Sequence, residues 1–576
     1  MDRRALWAIL LMMAIAIVPS FLIERPAPEP APSDTTAAAP GNRPERTAPA
    51  PADELVEPSR ADTSGQAIAT APIDTIAVLS NLYRYDVSTL GGRIVGATLL
   101  TYPSMAASDS EAPAQIVLPG SDLLGLTLVS GRDTVPLANW RFTASDSALD
   151  VTAAATPLQL TAERGGRQVE LTYTFVPNDY RIAVTGRVTG MGPAGGLLLV
   201  GMGQGLRNVE ADSAEHLREL AIVTMQDGTE RLDFGDLEPG QPETVSGPFA
   251  WVAIKSKYFV SAVFATDSAD GRATGRIGGV RAVAPAGADD QPSRADVRLS
   301  IPVGADGVFR YTLYAGPMEY DRLAAMGNGF DDVNPYGWPG IRTLIHFFAV
   351  PVRWLLVWMH EHLGLAYGAV LVVFGIMVRI VLWPLNQKAM RSSMAMQAIQ
   401  PEMKAIQERY KENPQKQQQE MMRLYKEHGV NPLGGCWPML LPMPVLFALF
   451  FVFQNTIELR GADFLWVPDL SRPDPLYIIP LVMGLSMYVL TKVGQIGIEP
   501  NPQMKMMLYL MPAMMTFFLW RFAAGLNLYY AVSNIASIPQ QWLVAKERQR
   551  RAARTIVEVK TNAPPGEIVG KHKRKR

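Results

Sequence analysis

The sequence predicts an α-helical polytopic membrane protein that carries an all-β sandwich outside the membrane. Three observations lead there. Apolar runs free of Asp and Glu occur at the N-terminus and again, repeatedly, after residue 366. A long middle stretch alternates apolar and polar positions as strands do. Basic residues gather in particular inter-span segments and at the C-terminus. The averages, 48% hydrophobic and 19% charged with mean hydropathy +0.07, leave room for membrane spans beside a folded polar domain but cannot separate the two.

The elements follow in order. Asp2, Arg3 and Arg4 precede an apolar run from Ala5 to Ile23 with no Ala-x-Ala cleavage site, so residues 1–24 read as an uncleaved transmembrane anchor with a cytoplasmic N-terminus. Residues 25–72 are rich in Pro, Ala, Thr and acidic residues, too polar to offset the entropy of ordering, and read as a disordered linker. Residues 73–320 then alternate. Val169, Leu171, Tyr173 and Phe175 share one face of a strand, and Gly165-Gly166 suits a hairpin turn back to Leu158, Leu160 and Ala162. Further strands are expected at Leu123 to Val129, Arg181 to Val188, Leu197 to Val200 and Val308 to Tyr314, giving one large β-sandwich. The chain has a single cysteine, Cys436, so no internal disulfide staples this domain.

Within residues 338–363, Arg342, His346, Arg353 and His360 share one helical face opposite Leu344, Phe347, Leu355 and Trp358. This predicts an amphipathic helix lying in the membrane interface, interrupted near Pro351, with a helix covering the β-domain as the alternative. Residues 364–545 form a five-span core: Ala366 to Leu385, Leu433 to Ile457, Leu476 to Thr491, Met506 to Trp520 and Ala523 to Ala545. With the anchor there are six spans, which returns the C-terminus to the cytoplasm.

The charges agree with that count. Asn386 to Val430 holds eight Lys/Arg, whereas the loop Glu458 to Asp474 holds two basic residues against four acidic ones. Residues 386–429 read as a cytoplasmic helical hairpin broken at Asn413-Pro414. The tail, residues 546–576, has eleven Lys/Arg against three Glu, a local charge of +8 in a chain whose total is −1. Its last cluster, Lys571, Lys573, Arg574, Lys575 and Arg576, points to an anionic partner, either RNA or acidic lipid headgroups.

Two intramembrane features carry the chemistry. Arg379 lies five residues before Pro384, roughly 7 Å from the cytoplasmic end of its span at 1.5 Å per residue. An Arg at such a depth costs about 2.5 to 3.5 kcal/mol, and no span offers it a carboxylate. Water, lipid phosphate or a transient client must solvate it, unless the side chain snorkels to the headgroups. In the last span Asn527, Tyr530, Asn534, Ser537 and Gln541 are spaced 3, 4, 3 and 4, one stripe that must face protein or a wet cavity. Pro438, Pro442, Pro444, Pro480 and Pro512 favour bent, loosely packed helices, and Met504 to Met515 supplies an adaptable apolar surface. Nucleotide-loop, Gly-x-Ser-x-Gly and His-Glu-x-x-His motifs are missing, as is any intramembrane acid, which counts against ATPase, protease and proton-coupled transporter readings. A solute or ion channel lined by Arg379 and the stripe remains as a rival, as does an anchored carbohydrate-binding β-domain.

The residues also resemble a known family. Asn431 to Pro444 (NPLGGCWPMLLPMP), Val378-Arg379, Pro384-Leu385, Tyr314-Ala315-Gly316-Pro317, Trp251-Val252-Ala253 and Gly525 to Asn534 (GLNLYYAVSN) are together similar to the YidC-type membrane protein insertases of Gram-negative form. The resemblance spans nearly the whole chain. It implies a bacterial inner-membrane protein with a periplasmic β-domain, no catalytic step and no cofactor. It also implies a hydrophilic groove, open to cytoplasm and lipid, where Arg379 receives polar parts of nascent membrane proteins and Tyr530 lies at a groove position. Cooperation with the Sec translocon, a chaperone role, and ribosome contact through the tail and hairpin are further implications. Two departures, Gly375 in place of a frequent Thr and Pro442 in place of a Gln, are expected to make the groove less polar.

Overall fold

The computed structural model describes residues 74–109, 111–190, 195–266, 277–288, 291–338, 340–384, 386–387, 399–429, 443–498 and 502–561. The expected anchor (1–24), linker (25–72), most of the NPLGGCWPMLLPMP segment with Cys436 and Pro442, and the Lys571 to Arg576 cluster lie outside these residues.

Among the described residues, twenty strands between Thr75 and Pro317 form two sheets, of eleven and nine strands. The expected hairpin pairs Thr156–Arg164 with Arg167–Phe175. Its turn glycines, Gly165 at φ +60 and Gly166 at φ +74, occupy the left-handed region that a two-residue hairpin turn needs and that residues with a Cβ avoid. Strand Arg181–Val188 alternates exposed and buried at every position, so one side of the nine-stranded sheet meets the opposite sheet and the other meets water. Buried tyrosines tie the layers together: the Tyr85 hydroxyl donates to the Ala315 carbonyl at 2.8 Å, and that of Tyr173 to Gly92 at 2.5 Å. Each hydroxyl would be costly to bury unpaired.

Strands Trp251–Lys255 and Phe259–Ala265 depart from alternation and are buried at every position. The chain after the sandwich covers their outer face. Phe330 meets the rings of Trp251, Phe264 and Tyr314 edge-on, at 5.1, 4.8 and 5.8 Å. Helix α1 (Ser213–Glu219), N-capped by Asp212, sets Glu215 and Glu219 one turn apart. They meet Lys257, in the turn after the strand, and Lys255, at the strand's end, at 2.9 and 3.0 Å. Lys255 also donates to Asn334 at 3.1 Å, fastening the segment that leaves the domain.

After α2 (Tyr320–Met326), helix α3 (Arg342–Leu363) runs unbroken through Pro351, so the expected interruption does not occur. Its polar face also turns inward. Arg342 reaches Thr229 at 3.0 Å and Asp332 at 2.5 Å, and buried Arg353 pairs with Asp321 at 3.1 Å and with Glu458. Phe347 and Trp354, 71% and 59% exposed, point away from the protein. Both arginines are thus paired within the protein, and the aromatic face is the exposed one.

The core helices are α4 (Tyr367–Val381), α7 (Met443–Asn455), α8 (Ile478–Gly494), α9 (Pro502–Leu519) and α10 (Ala524–Thr561). Between α4 and α7 lie α5 (Gln400–Arg409) and α6 (Pro414–Glu427), with the break at Asn413, whose side chain caps α6 by accepting from Lys416. The five core helices fall where spans were expected, but α4 and α8 have 15 and 17 residues, against the roughly 20 that a bilayer requires. Among the described residues α3 alone is long and apolar enough by those measures to cross a membrane. Helix α10 continues 16 residues beyond the expected boundary at Ala545, taking the first half of the basic tail into helix.

The Glu219 cluster makes one testable prediction. Burial by itself would raise the Glu219 carboxyl, but the Lys255 and Arg231 charges outweigh it and hold it at about 2, below the usual 4.5. A depressed carboxylate stabilises the fold above its unfolded value and loses that contribution as pH falls toward its folded one. Circular dichroism melts of the detergent-solubilised protein are therefore expected to show a steeper loss of β-domain stability between pH 4.5 and about 2 in the native chain than in Glu219→Gln.

Candidate functional site

Helix α4 carries Arg379 in its last turn. The helix lies close to α10 because position 375 is glycine: a Cβ there would stand 3.2 Å from Val532 and 3.6 Å from Tyr529. Gly375, expected to make the site less polar, also faces Val532 and Tyr529 of α10 at close range. That approach lets the Arg379 Nε donate to the Ser533 hydroxyl at 2.7 Å. Among the described residues no carboxylate pairs with the guanidinium, and the titratable groups nearest it are the phenols of Tyr529 and Tyr530. A cleft of about 40 Å³, room for one or two waters, is lined by Val378, Arg379, Leu382, Tyr529, Tyr530 and the α7 pair Val445 and Leu446.

The expected stripe on α10 divides between two faces. Tyr530 joins Arg379 in the cleft. Asn527, fully buried, instead donates to the Leu519 carbonyl at 2.9 Å and closes the turn between α9 and α10. Asn534 donates to Ser486 on α8 at 3.2 Å, Ser537 bonds its own helix at the Ser533 carbonyl, and Gln541 lies beside Gly494 at the end of α8. The reason is that α10 is wedged between α8 and α4, so a polar spacing of 3 and 4 does not say which neighbour it serves. The residues missed are Ser533, Tyr529 and Gln540, the last donating to the Trp383 carbonyl at 3.1 Å. Ser533 and Gln540 are seven apart, two turns on one face, a weak signal that was present. Pro442 and Lys571 to Arg576 lie outside the described residues.

A larger cavity, about 400 Å³, opens on the β-domain between Asp179, Arg181, Glu319, Asp321 and Arg322. Its charges are mostly paired with one another: Arg181 with Asp179 at 2.5 Å and Arg322 with Glu319 at 2.9 Å. Among the described residues no group of three or more His, Cys, Asp or Glu is placed to hold a metal ion.

An apolar helix bundle with an uncompensated cation in a cleft, joined to a large β-sandwich, defines a membrane protein with a large extramembrane domain. Comparison with known proteins gives it a family. Residues 75–355 match the YidC periplasmic domain, and residues 358–551 match the 60Kd inner membrane protein family. The chain is 30% identical over 566 residues to the membrane protein insertase YidC of Chlorobaculum tepidum, covering 92% of each. It is 31% identical over 532 residues to that of Janthinobacterium sp., covering 87% of this chain and 90% of that one. A solved structure described as an active YidC insertase with its first transmembrane domain resolved aligns over 82% of this chain and 94% of that one, at 16% identity and a TM-score of 0.33, too distant to add to the argument. The chain belongs to the YidC family of membrane protein insertases, inner-membrane proteins whose β-domain is periplasmic.

The placement of Asn527 yields a prediction. Asn527→Ala is expected to lower the stability of the solubilised protein by about 0.5 to 1.5 kcal/mol, since it removes a buried hydrogen bond to the Leu519 carbonyl, which keeps the Phe522 amide as a donor. Insertion activity per folded molecule should stay near the native value, read by thermal unfolding alongside an insertion assay.

Proposed function

We propose that the chain inserts nascent membrane proteins by lending a polar, cationic cleft to the segments that lipid rejects. The observation that carries this reading is Arg379, held by Ser533 beside Tyr529 and Tyr530 with no carboxylate to neutralise it among the described residues. A guanidinium in such surroundings has donors to offer an acidic or carbonyl-rich client segment. Taking an unpaired amide into hydrocarbon costs roughly 2 to 7 kcal/mol. A site that replaces part of the lost hydration lowers the barrier without any covalent step or cofactor. Apolar client helices then leave sideways, drawn into lipid by about 0.8 kcal/mol per buried CH₂.

In this reading six spans cross the inner membrane, both termini are cytoplasmic, and the cleft opens to cytoplasm and lipid. The protein also chaperones the folding of its clients, alone or with the Sec translocon. The basic tail and the α5–α6 hairpin face the ribosome. Support for this topology comes from the basic residues of the hairpin and tail against the acidic Glu458 to Asp474 loop.

Two measurements test the reading. In proteoliposomes, Arg379→Ala is expected to slow insertion of a client with a polar translocated tail by about tenfold, equivalent to about 1.4 kcal/mol. Arg379→Lys should slow it less, because charge is kept while the fork is lost. An unchanged rate in Arg379→Ala counts against the cleft. Separately, truncation after Thr561 keeps the described part of α10 and removes Lys571, Lys573, Arg574, Lys575 and Arg576. Ribosome co-sedimentation should then weaken most at low salt, since each phosphate contact releases counterions. Equal pelleting of both forms at every salt concentration would leave the hairpin as the docking element.

A further inference from the structure

The segment between α7 and α8 is folded tightly against everything around it. Phe464 and Val467 exchange backbone hydrogen bonds at 2.8 and 2.9 Å, and Leu470 donates to Ala462 at 2.8 Å. Asp474, fully buried, accepts from the Trp466 indole at 3.0 Å and from the Leu476 and Ile479 amides at 2.9 and 2.7 Å, so it both caps the start of α8 and fixes the loop. The loop also reaches three helix ends. The Phe464 ring lies where a Cβ on Gly368, at the start of α4, would stand 2.1 Å away. The first two residues of α10 donate to it, Ala524 to Arg472 at 2.7 Å and Gly525 to Leu470 at 2.9 Å.

On its other side the loop enters the β-domain. Ile457 is buried within the sandwich's own hydrophobic core. Arg460, its side chain 2% exposed, donates through Nε to both oxygens of Glu210 at 2.9 and 3.0 Å, through Nη1 to the Pro103 carbonyl at 2.8 Å and through Nη2 to the Val209 carbonyl at 3.0 Å. The guanidinium also stacks over the Phe259 ring at 5.3 Å. Every nitrogen of the side chain is thus engaged by the β-domain, and the Glu210 carboxylate is 9% exposed. A surface ion pair contributes little, but a buried one with all its donors used cannot lose a partner cheaply.

We propose that Glu210 and Arg460 form a clamp by which the β-domain holds the Ile457–Asp474 loop shut across the adjacent ends of α4, α8 and α10. The β-domain then has a mechanical task, closing the bundle on its own side, that is independent of whatever occupies the Arg379 cleft. Hydrogen bonds within the loop fix its shape, the α4 and α10 contacts and the Arg353–Glu458 pair join it to the helices, and the Glu210–Arg460 pair and Ile457 fix it to the β-domain. Breaking the pair should therefore free the loop while leaving the sandwich intact.

The test is hydrogen exchange on the full-length protein in lipid nanodiscs, comparing the native chain with Arg460→Ala, Arg460→Lys and Glu210→Gln. Amides of Ala462 to Leu470 are expected to exchange about tenfold faster or more in Arg460→Ala and Glu210→Gln, with Arg460→Lys between them and native. Strand Arg167–Phe175 should exchange as in the native chain. Native-like exchange of the loop in both Arg460→Ala and Glu210→Gln overturns the clamp, because the loop is then held by its own bonds. Equal acceleration of loop and strand also overturns it, because the pair then supports the sandwich and not the loop. Should Arg460→Ala fail to fold, Glu210→Gln, which keeps the side chain's size and one acceptor oxygen, gives the same reading.

Discussion

A guanidinium among apolar helices is the constraint from which the rest of the membrane core follows. Arg379 carries a charge that a low-dielectric surrounding penalises by several kcal/mol, and the usual remedy, a carboxylate within reach, is missing among the described residues. What surrounds it is a set of hydroxyls: Ser533 on Nε, with Tyr529 and Tyr530 on the cleft wall. Hydroxyls and water compensate the charge incompletely. In the proposed function that incompleteness is what a client's acidic or carbonyl groups would use, where a neutralising Asp or Glu would leave nothing to offer.

The arrangement needs close helix packing to exist at all. Gly375 leaves α4 close against Val532 and Tyr529 of α10, and from that helix Arg379 reaches Ser533. On the opposite face of α10, Asn534 bonds Ser486 and so fixes the helix against α8. Asn527 pins the turn from α9. Polar residues that look like one lining are thus divided between structural bonds on one side and the cleft on the other. At the far end of the bundle, charge is handled in the opposite way. Arg353 and Arg460 are buried and ion-paired with carboxylates, Arg460 with every nitrogen engaged, where rigidity between domain and core is the gain.

Much of this was legible in the sequence, for identifiable reasons. Strand alternation from Val169 to Phe175 and the Gly165-Gly166 turn are short-range signals, and the hairpin appears where they put it. The all-buried strands Trp251–Lys255 and Phe259–Ala265 were harder, because their burial depends on Phe330, some 65 residues further on. Arg379 stood out since a lone charge in an apolar span needs no partner to be conspicuous. Ser533 did not, because a serine in a membrane helix is ordinary until a neighbour's position is known. Similarly, the charges on α3 were read as facing the interface, yet the acids that draw them inward, Asp321, Asp332 and Glu458, come from three separate segments. Periodicity locates a face; it does not name what the face meets.

The central claim is that client segments enter the cleft at Arg379. It is tested most directly by photocrosslinking a stalled nascent client from single positions of the full-length protein. A photoreactive residue in place of Tyr530, on the cleft wall, should capture the polar segment of the client, whereas one in place of Ile376, on the outward face of α4, should capture it weakly or not at all. Equal capture from both positions, or capture from Ile376 alone, would contradict the account, since the client would then travel along the lipid face without entering the cleft.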